Sequence, residues 1–234
     1  MALYSSKLSG GLLNTNFDLP VGTSANSAVT ITGWILFPTY VPETFTLFGI
    51  DNGTTLGDIE IGVSCLTGKL LCTVNSPAAS TSAYASLTSS PVGWSPFLFA
   101  FGSSNGVNQT MLYINNQSPI KITTPVIMQA TTLRLFQGVE YNGACPRGFG
   151  ALAEIAVWTG YGGTTEFNQI AAGMNTFDVG TTMQLLTYYP LQHNIMDYGP
   201  TQSPLEPSAG YAPLWGEHPP VTPARLPSSQ FFAK

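Results

Sequence analysis

The side chains that could do acid–base chemistry are few. Lys and Arg number 7, Asp and Glu 12, and His 2 in 234 residues. The best carboxylate pair is Asp58-Ile59-Glu60. Alternate residues of a strand share one face, and retaining glycosidases need two carboxyl groups about 5–5.5 Å apart. No third acid follows, because Gly62 takes the next slot on that face. The pair therefore reads as two solvent-facing acids at a sheet edge. A nucleophile–histidine pair fares no better. No G-x-S-x-G occurs, His193 falls in a loop after a Tyr-Tyr-Pro-Leu-Gln strand, and His218 lies in a proline-rich tail. No glycine-rich phosphate cradle is present. No catalytic residue is assigned, and the sequence predicts no enzyme.

Metal and disulfide chemistry are equally sparse. Cys65, Cys72 and Cys145 are odd in number and contain no CxxC pair, and only two histidines could complete a zinc site. They read as small buried thiols. Cys65 and Cys72 flank a hairpin tip. A turn at Thr67-Gly68 makes them diagonal neighbours, and a turn at Gly68-Lys69 sets them face to face. Only the second register permits a bridge.

Binding is harder to exclude than catalysis. Sugars stack on aromatic rings and bond to Asn and Gly in loops. Tyr40, Tyr84, Tyr141 and Tyr161 are loop aromatics, and Tyr141-Asn142-Gly143 and Tyr161-Gly162-Gly163 are the best of them. Tyr141, Asn142 and Tyr161 are the candidate carbohydrate contacts. The same residue types also suit packing or protein contacts.

Composition excludes whole classes of partner. Charged residues make up only 8% of the chain and the formal net charge is -5, where soluble domains carry about 25% charge. Nucleic-acid binding needs clustered cations. A helical bundle needs dense Glu and Lys on its wet faces. No apolar run approaches the roughly 20 residues of a membrane-spanning helix. The start of the chain lacks the basic and apolar stretch of a secretory signal, so the expectation is synthesis in a cytoplasm without export by that route.

The elements that must carry these side chains are strands. Alternating or apolar runs mark Val29–Phe37, Phe45–Ile50, Asp58–Val63, Leu70–Val74, Phe97–Phe101, Met111–Ile114, Thr132–Phe136, Ala151–Trp158 and Met183–Tyr189. Phe97–Phe101 is apolar on both faces and so reads as a central strand. One helix is predicted over 164–173, with Thr164 as its N-cap and Gly173 as its stop. From Pro200 onward eight prolines accumulate, which bars a central strand or an internal helix. That stretch still holds Tyr211, Leu214, Trp215, Phe231 and Phe232, so it reads as an arm that packs on its own body or on a neighbour. The predicted division is a sandwich over 1–199 and a proline-rich arm over 200–234.

The order of these segments resembles the concanavalin A-like, laminin G-like jelly rolls. The resemblance rests on the Thr-Ile-x-x-Trp-type strand at Val29–Leu36 and on Leu47–Ile50. It continues through the hairpin from Ile59 to Leu70, Pro91–Phe101 and Leu112–Gln117. Its most specific piece is Gly-x-Leu-x-Glu-Ile-x-Val-Trp at Gly150–Trp158, and Tyr188–Asn194 closes it. It implies an all-β antiparallel sandwich with one short helix. Many such relatives hold calcium at one edge, but Ala153 replaces the acid that often precedes Glu154, so no cofactor is expected and calcium is the one candidate. The resemblance covers lectins, adhesion modules and virion proteins. With the neutral surface and the aromatic arm, it points to a non-enzymatic phage virion surface component, a head decoration or fibre protein. Its expected partners are its own copies, as a trimer, other virion proteins and a cell-surface glycan. A carbohydrate-binding adhesin is the alternative, and a glycan hydrolase is third.

Overall fold

A computed structural model describes the backbone of residues 2–5, 13–14, 28–37, 45–51, 59–64, 69–74, 83–86, 93–104, 107–115, 118–123, 132–135, 150–207 and 214–222. Side chains are described within the segments 28–36, 93–102, 109–115, 118–121, 151–205 and 215–222. In chain order the strands are β1 (Ala2–Ser5), β2 (Leu13–Asn14), β3 (Ala28–Phe37), β4 (Phe45–Asp51), β5 (Ile59–Ser64), β6 (Lys69–Val74) and β7 (Ala83–Ser86). They continue with β8 (Gly93–Ser104), β9 (Val107–Ile114), β10 (Ile120–Thr123), β11 (Thr132–Leu135), β12 (Gly150–Thr159), β13 (Gln184–Tyr189), β14 (Glu206–Pro207) and β15 (Leu214–Gly216). One helix, α1 (Thr164–Ala171), and a 3-10 turn (Thr176–Asp178) lie between β12 and β13.

The strands form two antiparallel sheets. The first runs β10-β9-β8-β3-β12-β1-β15, with β13 also paired to β12. The second runs β14-β2-β11-β4-β5-β6-β7. This is an all-β sandwich of the jelly-roll kind with one helix. Each strand foreseen from the sequence is present. The short strands β1, β2, β7, β10, β14 and β15 were not foreseen, because two to four residues carry too little periodicity to register.

The first sheet is buried on both faces. Ile31, Ile35, Phe97, Phe99, Phe101, Leu112, Ile114, Leu152 and Val157 are fully buried on the side toward the second sheet. The opposite face buries Trp34, Ala153, Ala156, Trp158 and Tyr188 beneath Ile170 and Val179, and Leu98, Ala100 and Tyr113 beneath Phe167. Two-sided burial explains why β8 is apolar throughout, and β8 does lie inside the sheet between β9 and β3. Burying a large apolar side chain stabilises by about 1.5–3 kcal/mol. Helix α1 follows its sequence pattern, with Phe167 and Ile170 buried three residues apart.

Three local expectations are corrected. The N-cap of α1 is Gly163, and its N–H donates to Glu166 Oε2 at 2.9 Å. Thr164 stands one position further in. The β5–β6 hairpin adopts neither foreseen register: Ser64 pairs with Lys69 and Ile61 with Cys72. The connection is therefore four residues long, and Cys72 faces Ile61. Finally, β5 is an interior strand between β4 and β6, so Glu60 is not at an edge. Asp58, Cys65, Cys145, Tyr40, Tyr141 and Asn142 lie outside the described residues.

Gly33 shows how tightly the two-sided sheet is packed. A Cβ there would come within 2.6 Å of Ile155 Cδ1 and 2.9 Å of Phe97 Cε1. Gly33→Ala is expected to lower stability by about 1–3 kcal/mol through overpacking. Urea denaturation followed by tryptophan fluorescence measures it, and an unchanged midpoint would show that the interior yields.

Candidate functional site

A cluster of buried polar side chains gathers at a break in β12. Pairing with β3 slips by one residue between Ala153 and Ala156, a β-bulge. Leu152, Ile155 and Val157 are spaced three and then two apart, which strict alternation cannot send to one face. The extra residue lets all three face the interior. Glu154 takes the bulge with φ +57° and turns its side chain outward, fully buried. Its N–H donates to Pro190 O at 3.3 Å, and its carbonyl accepts from Thr176 Oγ1 at 2.6 Å.

Four donors from four segments converge on the Glu154 carboxylate. Oε2 accepts from Asn175 Nδ2 and from the Tyr188 hydroxyl. Oε1 accepts from Gln192 Nε2 at 3.0 Å and lies 2.8 Å from His218 Nε2. Asn175 Nδ2 also donates to the Tyr188 oxygen at 3.0 Å. A carboxylate offers about four lone-pair sites, and all are taken.

A second buried acid repeats the pattern. Asp197 Oδ1 accepts from Tyr188 N at 2.9 Å and Gly199 N at 2.6 Å. Oδ2 accepts from Thr201 Oγ1 and from Ser203 N at 2.9 Å. Tyr188 thus joins the two carboxylates, through its hydroxyl to Glu154 and its backbone N–H to Asp197. Burial, with Glu154 beside it, raises the Tyr188 hydroxyl far above the usual tyrosine range. Burial likewise raises Tyr189 and Tyr161.

Histidine and tail meet here. His218 Nδ1 faces Pro219 O at 3.1 Å. Pro219 is buried, Val221 packs against the cluster around Trp34 and Tyr188, and Thr222 N donates to Gly173 O at 3.0 Å. Strand β15 pairs with β1, setting Leu214 opposite Tyr4 and Trp215 opposite Leu3. The Trp215 ring lies 6.2 Å from that of His193. The described part of the arm therefore lies on its own body. Tyr211, Phe231 and Phe232 lie outside the described residues, as do the side-chain surroundings of Leu214.

The expected sugar contact that can be placed, Tyr161, sits in the turn between β12 and α1. Its ring packs against the Leu98–Tyr113–Phe167 cluster. Its hydroxyl is buried without a partner among the described residues. Gly162 beside it is pinned by its N–H to Thr30 Oγ1 at 2.8 Å. Among the described residues no three His, Cys, Asp or Glu side chains converge as metal ligands, and no helix is long and apolar enough to cross a membrane. Sequence reading missed the Glu154 cluster. Its available signal was one acid inside an apolar strand whose apolar spacing breaks period two.

No protein-family model matches the chain, and no curated protein matches it. Solved structures do. A heptameric SAP-like pentraxin of Limulus polyphemus aligns with TM-score 0.52 and 18% identity over 73% of this chain and 80% of that one. The enzymatically active domain of bacteriophage CBA120 tailspike protein 2 aligns with TM-score 0.56 and 14% identity over 83% of this chain and 32% of that one. A Bacteroides ovatus protein thought to bind carbohydrate aligns with TM-score 0.58 and 15% identity over 92% of this chain and 61% of its own. At these identities the likeness shows the fold alone, a concanavalin A-like jelly roll. The chain spans about a third of the tailspike domain and three fifths of the Bacteroides protein.

Two predictions follow from the cluster. Glu154→Gln sets an amide nitrogen against donors that need an acceptor, and is expected to cost about 3 kcal/mol, read by thermal or urea unfolding. The raised tyrosines bind their protons more tightly folded than unfolded, so stability is full below the unfolded tyrosine pKa of about 10 and falls as pH rises above it. Absorbance at alkaline pH is expected to show a tyrosine fraction that ionises only with unfolding.

Proposed function

We propose that this chain is a non-enzymatic structural and interaction protein of a phage virion surface, a head decoration or fibre component built on a lectin-like sandwich. One observation carries the non-enzymatic part. Each oxygen of both buried carboxylates, Glu154 and Asp197, already takes two donors. A general acid or nucleophile needs a free lone pair or proton aimed at substrate, and these groups are spent on holding the chain. The neutral surface supports the interaction part. With 8% charged residues, copies repel little and desolvate at low cost when faces meet. The fold shared with a phage tailspike domain over 83% of the chain is compatible with a virion setting.

The partners in this reading are copies of the chain, as a trimer, together with other virion proteins. Residues 223–234, with Phe231 and Phe232, are the part of the arm proposed to reach a neighbour, since residues 214–222 lie on the body. Size-exclusion chromatography with light scattering is expected to give an oligomer that weakens when residues 223–234 are removed. A monomer at micromolar concentration for both forms refutes it.

A second reading, glycan binding, is favoured by the same fold in a Bacteroides ovatus protein thought to bind carbohydrate. It is compatible with the first, since a virion surface protein meets cell-surface sugars. A glycan array with and without calcium tests it, and silence on a broad panel refutes it.

A further inference from the structure

Residues 214–222 cross the outer face as a strap held at a few points. Strand β15 pairs with β1 over only Leu214, Trp215 and Gly216. Pro219 is buried, Val221 packs on the cluster around Trp34, and Thr222 bonds to Gly173 and Asn175. Between these anchors stands His218, whose side chain is 16% exposed above the fully buried Glu154. Segments tied down by few bonds open locally at lower cost than the whole fold.

Both ring nitrogens of His218 face acceptors. Nε2 lies 2.8 Å from Glu154 Oε1. Nδ1 lies 3.1 Å from Pro219 O, a carbonyl that can only accept. A neutral imidazole carries one N–H, so it answers one acceptor and sets a lone pair against the other. An imidazolium answers both. Asn175, Tyr188 and Gln192 are neutral donors to Glu154, so His218 is the one of its four partners able to carry positive charge.

We propose that the strap is a proton-dependent latch: it closes with an imidazolium at His218 on the Glu154 carboxylate, and it loosens when that proton is lost. Opening puts His218 in water, where a histidine gives up its proton at about pH 6.5. The closed strap therefore binds a proton that the open one releases. Attachment through the pair is complete below about pH 6.5 and is lost as pH rises above it. Tyr188 on β13 reaches His218 only through Glu154, and burial raises its hydroxyl far above this window. Asp178 of the 3-10 turn acts on Tyr188, and Glu217 beside His218 is exposed; carboxylates ordinarily titrate at about 4, below the window. His193, in the loop after β13, is the second histidine facing the strap, with its ring 6.2 Å from that of Trp215. The latch stands apart from the virion and glycan readings. Its opening would free Trp215 and Val221, with the chain beyond them, from the body.

Hydrogen exchange read by mass spectrometry on the peptide 214–222 of the full chain, corrected for the intrinsic rate at each pH, tests the latch. Exchange is expected to be about tenfold faster at about pH 8.5 than at about pH 6, which matches the loss of one charge-assisted bond, while α1 is unchanged. His193→Gln is expected to keep that ratio. His218→Gln supplies a donor that does not titrate, and is expected to exchange equally at both pH values. Where the glutamine strap is open throughout, His218→Lys, charged across the range, is expected to hold it closed at both. A ratio within twofold in the unaltered chain overturns the latch. So does a tenfold ratio that survives in His218→Gln, one that disappears in His193→Gln, or a His218→Lys strap that opens as pH rises.

Discussion

A buried carboxylate has to be answered by donors, and in this molecule the donors come from everywhere. Glu154 stands on β12, Asn175 just before the 3-10 turn, Tyr188 on β13, Gln192 in the following loop and His218 in the tail. An unpaired buried charge costs several kcal/mol. The four segments are therefore tied to one another through a single side chain. The bulge that presents it is equally forced. Leu152, Ile155 and Val157 reach a common interior only if one residue is lifted out of the alternation, and Glu154 is that residue.

The same geometry orders the part of the chain that has no regular structure of its own. Tyr188 carries the connection from Glu154 to Asp197, and Asp197 gathers the backbone of Gly199 and Ser203. Gly199 is required there, because a Cβ would lie 2.6 Å from the Thr187 α-carbon. The proline-rich stretch then runs back over the sheet. Prolines spare the folded state ladder donors that it would otherwise have to satisfy, and two short edge strands, β14 and β15, suffice to attach it. A stretch that reads by composition as an arm packing on its own body or on a neighbour lies, over residues 214–222, on its own body, against the outer face and the Glu154 carboxylate.

The scaffold allots its polar groups unequally. Both buried acids are consumed in binding the chain to itself, whereas the Trp34 N–H and the Tyr161 hydroxyl have no partner among the described residues. The concanavalin A-like fold is used for many purposes, so the fold alone does not choose among them.

The chain's own residues determine the architecture. Period-two alternation marks each long strand, the two-sided apolar run of Phe97–Phe101 marks β8 as central, and Phe167 and Ile170 mark the one helix, because these patterns reflect burial that is local to each element. The tertiary structure alone decides three things. It sets the four-residue connection of the β5–β6 hairpin, because Gly68 fits more than one turn position and so does not fix the register from the sequence. It places the tail, whose short edge strands have no periodicity to read. And it assembles the Glu154 cluster, since Asn175, Tyr188, Gln192 and His218 stand 21 to 64 residues along the chain from Glu154 and meet it only after β12 and β13 pair and the tail folds across them. Side-chain chemistry is written residue by residue, but a hydrogen bond between distant residues exists only once the sheet has fixed the distance between them.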